Sequence, residues 1–164
     1  YYEGHALTLA QHPSETEERL MMRLLAFARN AGEHPAFGKG ISTDDEPDLW
    51  QKDLTGVIDL WIEIGQPDEQ RIRKACGRSG QVIVYTFSGR SAAIWWEKNA
   101  SALERCRNLT VIDIPVEAVE QLVALMVRGM RLNVMIQDGE VQVLGGDVTV
   151  SLIPSVRQAA TQGR

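Results

Sequence analysis

The chain has 164 residues, of which 44% are hydrophobic and 24% charged, so it carries enough apolar material for one packed domain and is not a disordered chain. A formal charge of −5 excludes a generally basic nucleic-acid binder, and any DNA or RNA partner therefore needs a local patch of Lys and Arg. Two cysteines are too few for a disulfide scaffold, and the sequence has neither a run of about 20 apolar residues nor a secretory signal pattern, so we expect a cytoplasmic protein with no membrane partner.

The N-terminal part is predicted to form a helix and then a hairpin. The helix covers residues 14–30, because Ser14 and Glu17 form a capping box and apolar side chains follow at helical spacing. Three extended segments follow, the last of them a buried strand after a turn at 54–56. They cover residues 37–42, 49–53 and 57–64.

The middle of the chain alternates between helix and strand. A helix over 67–76 has Pro67 at its first position, and it is followed by a strand over 81–87, a helix over 91–106 and a strand over 109–114. Such alternation favours parallel strands joined by right-handed crossovers.

The last third is predicted to be an apolar helix over 116–130 followed by an antiparallel meander with Gly-containing turns. Its strands cover 131–137, 140–144 and 147–153. We expect the tail from Pro154 onward to be loose, and a chain that starts at Tyr1 without Met to lack a leading strand. The predicted fold is a single α/β domain over 1–164, with a mixed sheet flanked by helices.

Carboxylates around the buried strand are the strongest functional signal. Glu63 lies in that strand, and the acidic stretch 43–48 contains Asp45 and the Pro47-Asp48 pair. Antiparallel pairing across the turn brings Glu63 opposite positions about 45 to 47, to within about a residue or two, so both aspartates are candidate partners. Buried carboxylates are costly unless a cation pairs with them, and Mg²⁺ or Mn²⁺ is such a cation.

The order helix, hairpin, acidic strand, helix, strand is that of the PD-(D/E)XK nuclease core, which holds Mg²⁺ against a scissile phosphate. That core, of the restriction-endonuclease type, carries Lys two residues after its Glu, where this sequence has Gly65. Gln66 and Lys74 are candidates for the role of the lysine. Helical geometry, however, points Lys74 roughly 150° away from the buried face of its helix.

Lys74 aligns with Arg71 and Arg78 in a basic stripe. This stripe either holds the phosphates of DNA or RNA or is a solvated surface.

Two further acids are candidates. Glu18 is predicted to stack over the buried side of the first helix, although an ordinary first-turn acid favoured by the helix dipole is the alternative. Asp59 is a secondary candidate, since strand alternation puts it on the same face as Trp61 and Glu63.

Six segments, in order and spacing, resemble the bacterial YaeQ family, from near residue 1 to about 153. They are His12-Pro13-Ser14-Glu15-Thr16 with Glu18-Arg19-Leu20, Asp44-Asp45-Glu46-Pro47, Ile58-Asp59-Leu60-Trp61-Ile62-Glu63, Gly65 with Pro67-Asp68-Glu69, Arg73-Lys74-Ala75-Cys76, and Ile94-Trp95-Trp96. The resemblance implies a variant PD-(D/E)XK core, with an extra N-terminal strand in full-length members. Matched by position, the helix acid of the superfamily falls on Glu18, its Asp on Asp48 or Asp45, and its Glu on Glu63.

Three hypotheses follow. The leading one is a Mg²⁺-dependent phosphodiesterase acting on DNA or RNA, in which Asp48 (or Asp45) and Glu63 bind metal, Glu18 orients water, and Lys74 or Gln66 replaces the lysine. The second is a non-catalytic module that keeps the nuclease fold and binds nucleic acid or protein. The third is a structural cluster in which Asp45 and Glu63 pair with Arg19 or Arg23.

Overall fold

The computed structural model describes residues 17–30, 36–37, 47–127, 132–145 and 148–160. Within these ranges the chain forms four helices: α1 Glu17–Arg29, α2 Glu69–Arg78, α3 Arg90–Leu103 and α4 Val116–Val127. The strands are β1 Ala36–Phe37, β2 Leu49–Lys52, β3 Ile58–Ile64, β4 Ser79–Thr86, β5 Leu109–Asp113, β6 Leu132–Gln137, β7 Glu140–Gly145, β8 Val148–Leu152 and β9 Ser155–Gln158. In the described part of the chain, no helix combines the length and the hydropathy needed to cross a membrane.

The main sheet has six strands in the order β1-β2-β3-β4-β5-β9. Strands β3, β4 and β5 are parallel, with α2 and α3 as the crossovers between them, and this confirms the alternation predicted from the sequence. Strands β1 and β2 add antiparallel neighbours at one edge, and β9 adds one at the other. The predicted α/β class with a mixed sheet is therefore confirmed.

Apolar layers cover both faces of this sheet. Alternate residues of β3, including Leu60, Ile62 and Ile64, join a core cluster with residues of α1 and α4. Trp61 points to the opposite face and joins a second cluster with residues of α2 and α3. Because β3 is buried on both faces, any charged side chain on it must find a partner inside the protein.

The predicted C-terminal meander is confirmed as a separate antiparallel sheet, β6-β7-β8. Its first hairpin turns at Asp138 and Gly139, both of which have positive φ, as a two-residue turn of this kind requires. Its buried valines, Val141, Val143 and Val150, pack into the same cluster as α1 and α4.

The start of the second helix and the state of the C-terminal tail differ from the prediction. The second helix begins at Glu69, with Asp68 as its N-cap, because the Asp68 carboxylate accepts a hydrogen bond from the backbone N of Arg71 at 2.8 Å. The tail is not loose over residues 155–158, since β9 pairs with β5. Gln158 anchors it by donating to the carbonyls of Leu103 and Cys106 at 3.0 and 3.2 Å.

We expect Gln158→Ala to lower the free energy of unfolding by about 1 kcal/mol, because it removes two hydrogen bonds to the carbonyls of Leu103 and Cys106, which keep their backbone donors. Urea unfolding measures this, with Val156→Thr as the control. Val156 is on the same strand and is exposed, so its replacement should change stability by less than about 0.5 kcal/mol. Equal effects of the two changes would mean that the tail is as loose as the sequence suggested.

Candidate functional site

The register of β2 on β3 brings Asp48 next to Glu63. Leu49 pairs with Ile62, and the backbone N of Asp48 donates to the Ile62 carbonyl at 3.1 Å, so the next pair along the ladder is Asp48 and Glu63. A register shift between Gln51 and Lys52 displaces the pairing, and Asp48 therefore stands slightly beyond the predicted positions 45 to 47. The alternative, Asp45, lies outside the described residues.

Glu63 is 2% exposed and is held by two neighbours on one face of β3. Arg71 of α2 donates from Nε to Oε2 at 3.0 Å and from Nη2 to Oε1 at 2.8 Å. The indole Nε1 of Trp61 donates to Oε1 at 2.9 Å. This is a two-bond guanidinium–carboxylate pair, the strongest geometry that an arginine offers to a carboxylate.

Burial raises the pKa of Glu63 above its ordinary value, because desolvation disfavours the charged form. The hydrogen bonds and the charge of Arg71 act in the opposite direction, as does the Trp61 hydrogen bond, whereas the charge of Asp48 raises the pKa further. Glu63 is therefore a carboxylate kept in an environment that opposes its charge.

Asp48 is fully buried and is held from the other side, by α1. Its Oδ2 accepts from the backbone N of Ile64 at 2.9 Å, and its Oδ1 forms an ion pair with Nη2 of Arg19 at 2.5 Å. Arg19 also donates from Nη1 to the Ile64 carbonyl at 2.8 Å. One guanidinium thus bridges a carboxylate oxygen and a carbonyl oxygen at the end of β3.

The backbone of Gly65 turns beside this bridge. Its φ is +114°, and a Cβ at this position would lie 3.4 Å from Nη1 of Arg19. Its N donates to the carbonyl of Tyr85 on β4 at 2.8 Å. The residue that stands where a nuclease core carries Lys is thus a backbone turn beside Arg19, in a conformation that side chains rarely adopt.

The predicted basic stripe lines one concavity, which we name the α2 pocket, of about 250 Å³. Its lining residues are Trp61, Asp68, Gln70, Arg71, Lys74, Ala75 and Arg78. The guanidinium carbon of Arg78 lies 5.3 Å from the centroid of the Trp61 ring, and that of Arg71 lies 6.0 Å from it. Because Arg71 also binds Glu63, the pocket and the buried carboxylate share a residue.

The other predicted site residues lie further out. Glu18 is exposed, so its predicted burial is wrong. Helix α1 turns Met21, Met22 and Leu25 inward, and Arg19 in its first turn reaches Asp48. Lys74 is exposed, as its helical phase predicted. Gln66 is exposed and its Nε2 donates to the hydroxyl of Ser91 at 3.0 Å. Asp59 is partly buried on β3.

Sequence reasoning missed the partners of the two carboxylates. The sequence predicts Arg19 only as a partner of Asp45 or Glu63, and Arg71 only as part of the basic stripe. The signal for Arg71 was present, because α2 follows the end of β3 after a short turn and must pack beside it. Among the described residues, no three His, Cys, Asp or Glu side chains come together as a metal cluster.

Arg71→Met should lower the free energy of unfolding by about 3 kcal/mol, since it leaves Glu63 buried without its charged partner. Adding Glu63→Gln should recover more than about 1 kcal/mol of that loss, because the two side chains interact directly. Urea unfolding of both single variants and the double variant gives the coupling energy. Arg73→Met is the matched control: Arg73 is on the same helix, and its ion pair among the described residues is with Glu69, four residues before it, so its loss should cost less than about 1 kcal/mol. Additive effects of Arg71→Met and Glu63→Gln would contradict a direct pair.

The raised pKa of Glu63 also predicts a pH dependence. The folded state keeps the Glu63 proton at a pH where the unfolded chain, with a pKa near 4.5, has lost it. This contribution to stability is therefore complete below the unfolded pKa and is lost as pH rises through the higher folded value. We expect the stability of the wild type relative to Glu63→Gln to fall as pH rises above about 4.5 in parallel urea titrations carried to neutral pH. A relative gain over that range would show that Arg71 outweighs desolvation.

Comparisons with known proteins agree with this architecture. The family model described as YaeQ protein matches residues 1–154. Uncharacterized protein YaeQ of Escherichia coli (strain K12) is 46% identical over 134 residues, covering 82% of this chain and 74% of that protein. Uncharacterized protein YaeQ of Salmonella typhi is 44% identical over 136 residues, covering 83% of this chain and 75% of that protein.

Two crystal structures have folds similar to that of this chain. That of the YaeQ protein from Xanthomonas axonopodis pv. citri has a TM-score of 0.91 and 58% identity, over 97% of this chain and 90% of its own. That of the YaeQ protein from Pseudomonas syringae has a TM-score of 0.88 and 34% identity, over 97% of this chain and 88% of its own. The resemblance read from six sequence segments is thereby confirmed, and the chain belongs to the YaeQ family.

Proposed function

We propose that this protein is a metal-dependent phosphodiesterase of the PD-(D/E)XK type that acts on DNA or RNA. The observation that carries the proposal is the adjacency of Asp48 and Glu63, both buried, at the ends of the neighbouring strands β2 and β3. An Asp and a Glu in this relation are what the superfamily uses to bind Mg²⁺. Of the cations on α2, Arg71 contacts Glu63 directly and also lines the α2 pocket with Lys74 and Arg78.

The oxygen donors suit a hard divalent cation. Oδ1 of Asp48 and the carbonyl of Ile64 already converge on one cationic group, the guanidinium of Arg19. Mg²⁺ commonly takes one or two carboxylates and completes its shell with water and substrate phosphate, so a cluster of three acidic side chains is not required. Asp48, Glu63 and the Ile64 carbonyl would hold Mg²⁺ or Mn²⁺ once Arg19 and Arg71 move off these oxygens. Asp45 remains the alternate ligand from the acidic stretch.

A bound Mg²⁺ or Mn²⁺ would neutralise charge on the phosphate and lower the pKa of water. Of the cations on α2, Arg71 is the one in hydrogen-bond contact with Glu63, and we assign to it the charge that Lys supplies in the usual motif. Lys74 and Arg78 would hold the nucleic-acid backbone from the pocket wall. Glu18 would orient water, as the resemblance to the superfamily implies, and Gln66 and Asp59 are secondary candidates.

A second candidate function is a module of the same fold that binds nucleic acid without cleaving it. The observation that favours it is that each buried carboxylate already has an arginine partner, Arg19 for Asp48 and Arg71 for Glu63. In such a protein the α2 pocket would still bind phosphate, but metal would have no part.

The test is isothermal titration of Mn²⁺ and Mg²⁺ into the wild type, Glu63→Gln and Asp48→Asn, followed by incubation of metal-loaded protein with mixed DNA and RNA. We expect saturable binding in the wild type, at least about tenfold weaker binding in either variant, and cleavage only by the wild type. Glu97→Gln, which removes an exposed acid of α3, is the control and should behave as wild type. Absence of binding at millimolar metal, with nucleic acid still bound, would overturn the phosphodiesterase and support the binding module.

A further inference from the structure

The α2 pocket gathers three cations from one helix face. Arg71, Lys74 and Arg78 follow one another at spacings of three and four residues, so they project from the same side of α2. The buried indole of Trp61 forms part of the wall, and the guanidinium of Arg78 lies over it at 5.3 Å. This contact limits the positions that the Arg78 side chain can take, so its charge is directed rather than spread over the surface.

The charges in this pocket are not balanced from within. Its single acid, Asp68, is engaged as the N-cap of α2, where it accepts from the Arg71 backbone N. Within the described ranges neither Lys74 nor Arg78 forms an ion pair, whereas Arg73 on the same helix pairs with Glu69 at 3.0 Å. A concavity with surplus positive charge in a protein of net charge −5 is a site for an anion.

Oxyanions suit this set of donors best. A guanidinium presents a planar fork that matches two oxygens of a phosphate, and a lysine ammonium adds a compact point charge. At about 250 Å³ the pocket is below the usual range for drug-sized ligands but has room for a phosphoryl group with part of what it is attached to.

We propose that the α2 pocket binds a phosphoryl group and that Arg71 couples its occupancy to the freedom of Glu63. Arg71 lines the pocket and at the same time donates two hydrogen bonds to Glu63, at 2.8 and 3.0 Å. A phosphoryl oxyanion in the pocket is a second anion at the same guanidinium, and it draws the guanidinium away from Glu63. Glu63 then has oxygen available for another cation.

This coupling rests on the proposed function. It would free Glu63 from Arg71, and so allow Glu63 to bind metal, only when the phosphate to be attacked is present. Linkage makes the effect reciprocal: a phosphoryl ligand must raise the affinity for the divalent cation by the same factor by which the cation raises the affinity for the ligand.

The first arm of the test concerns the pocket alone, with inorganic phosphate as the probe. We expect isothermal titration to show saturable binding by the wild type and binding about tenfold weaker or more in Lys74→Gln and in Arg78→Gln, since each removes one charge-assisted contact. Arg73→Gln, on the same helix but outside the pocket, is the matched control and should stay within about twofold of the wild type. Absence of saturable binding, or an equal loss in Arg73→Gln, would overturn the pocket.

The second arm measures phosphate affinity with and without Mg²⁺, and Mg²⁺ affinity with and without phosphate. Equal gains in both directions for the wild type, absent from Glu63→Gln, support the coupling, and Glu63→Gln also corrects for Mg²⁺–phosphate association in solution. If the protein binds Mg²⁺ but its phosphate affinity is the same with and without Mg²⁺, the coupling through Arg71 is overturned. Phosphate binding by a protein that binds no Mg²⁺ would support the pocket and contradict the phosphodiesterase.

Discussion

Two carboxylates buried at the ends of neighbouring strands are the constraint around which this part of the fold is arranged. Asp48 and Glu63 cannot be solvated where they stand, so each must be neutralised by a cation from a packed element. Arg19 reaches Asp48 from α1, which packs on one face of the sheet, and Arg71 reaches Glu63 from α2 on the other. The helices that flank β3 are thereby tied to the same point of the sheet from opposite sides.

Gly65 shows how a departure from a motif can have a structural cause. A Lys at this position would need a φ of +114°, which side chains rarely adopt. The chain turns here while the Gly65 N donates to the carbonyl of Tyr85 on β4 at 2.8 Å, which extends the β3–β4 ladder by one hydrogen bond. Positive charge near the carboxylates therefore comes from the helices, through Arg19 and Arg71, and not from the strand.

The sequence was sufficient for features that depend on local pattern. Alternating helices and strands, the apolar face of α2 with Lys74 outward, and the Asp138-Gly139 hairpin all follow from periodicity and turn chemistry, and all were predicted correctly. Features that depend on tertiary contacts were not predicted. The sequence around residues 155–158 does not indicate that this segment pairs with β5. The sequence around Glu63 does not indicate that Arg71, rather than a metal ion, pairs with its carboxylate.

The pairing of Asp48 with Glu63 was predicted only in part. Hairpin geometry restricted the partner of Glu63 to a few positions, but the shift between Gln51 and Lys52 moved the pairing along the ladder, and a β-bulge leaves little mark in a sequence of this kind. The pairing of both acids with arginines partly matches the structural hypothesis, which named Glu63 and Arg19. That hypothesis did not include Asp48 or Arg71, and Asp45 lies outside the described residues.

Stability alone is a poor reason for such an arrangement. Apolar residues of similar volume commonly hold a buried position as well as an ion pair does, or better, because they avoid the desolvation of two charges. Here the desolvation is visible in the raised pKa of Glu63, which the two hydrogen bonds and the charge of Arg71 do not fully offset. A carboxylate held at such a cost, by a guanidinium that also lines a cationic pocket, makes physical sense if the guanidinium has a second anion to bind. Arg71 is then the residue through which the pocket and the buried acid act on each other, and the ion pair is one state of the site rather than its purpose.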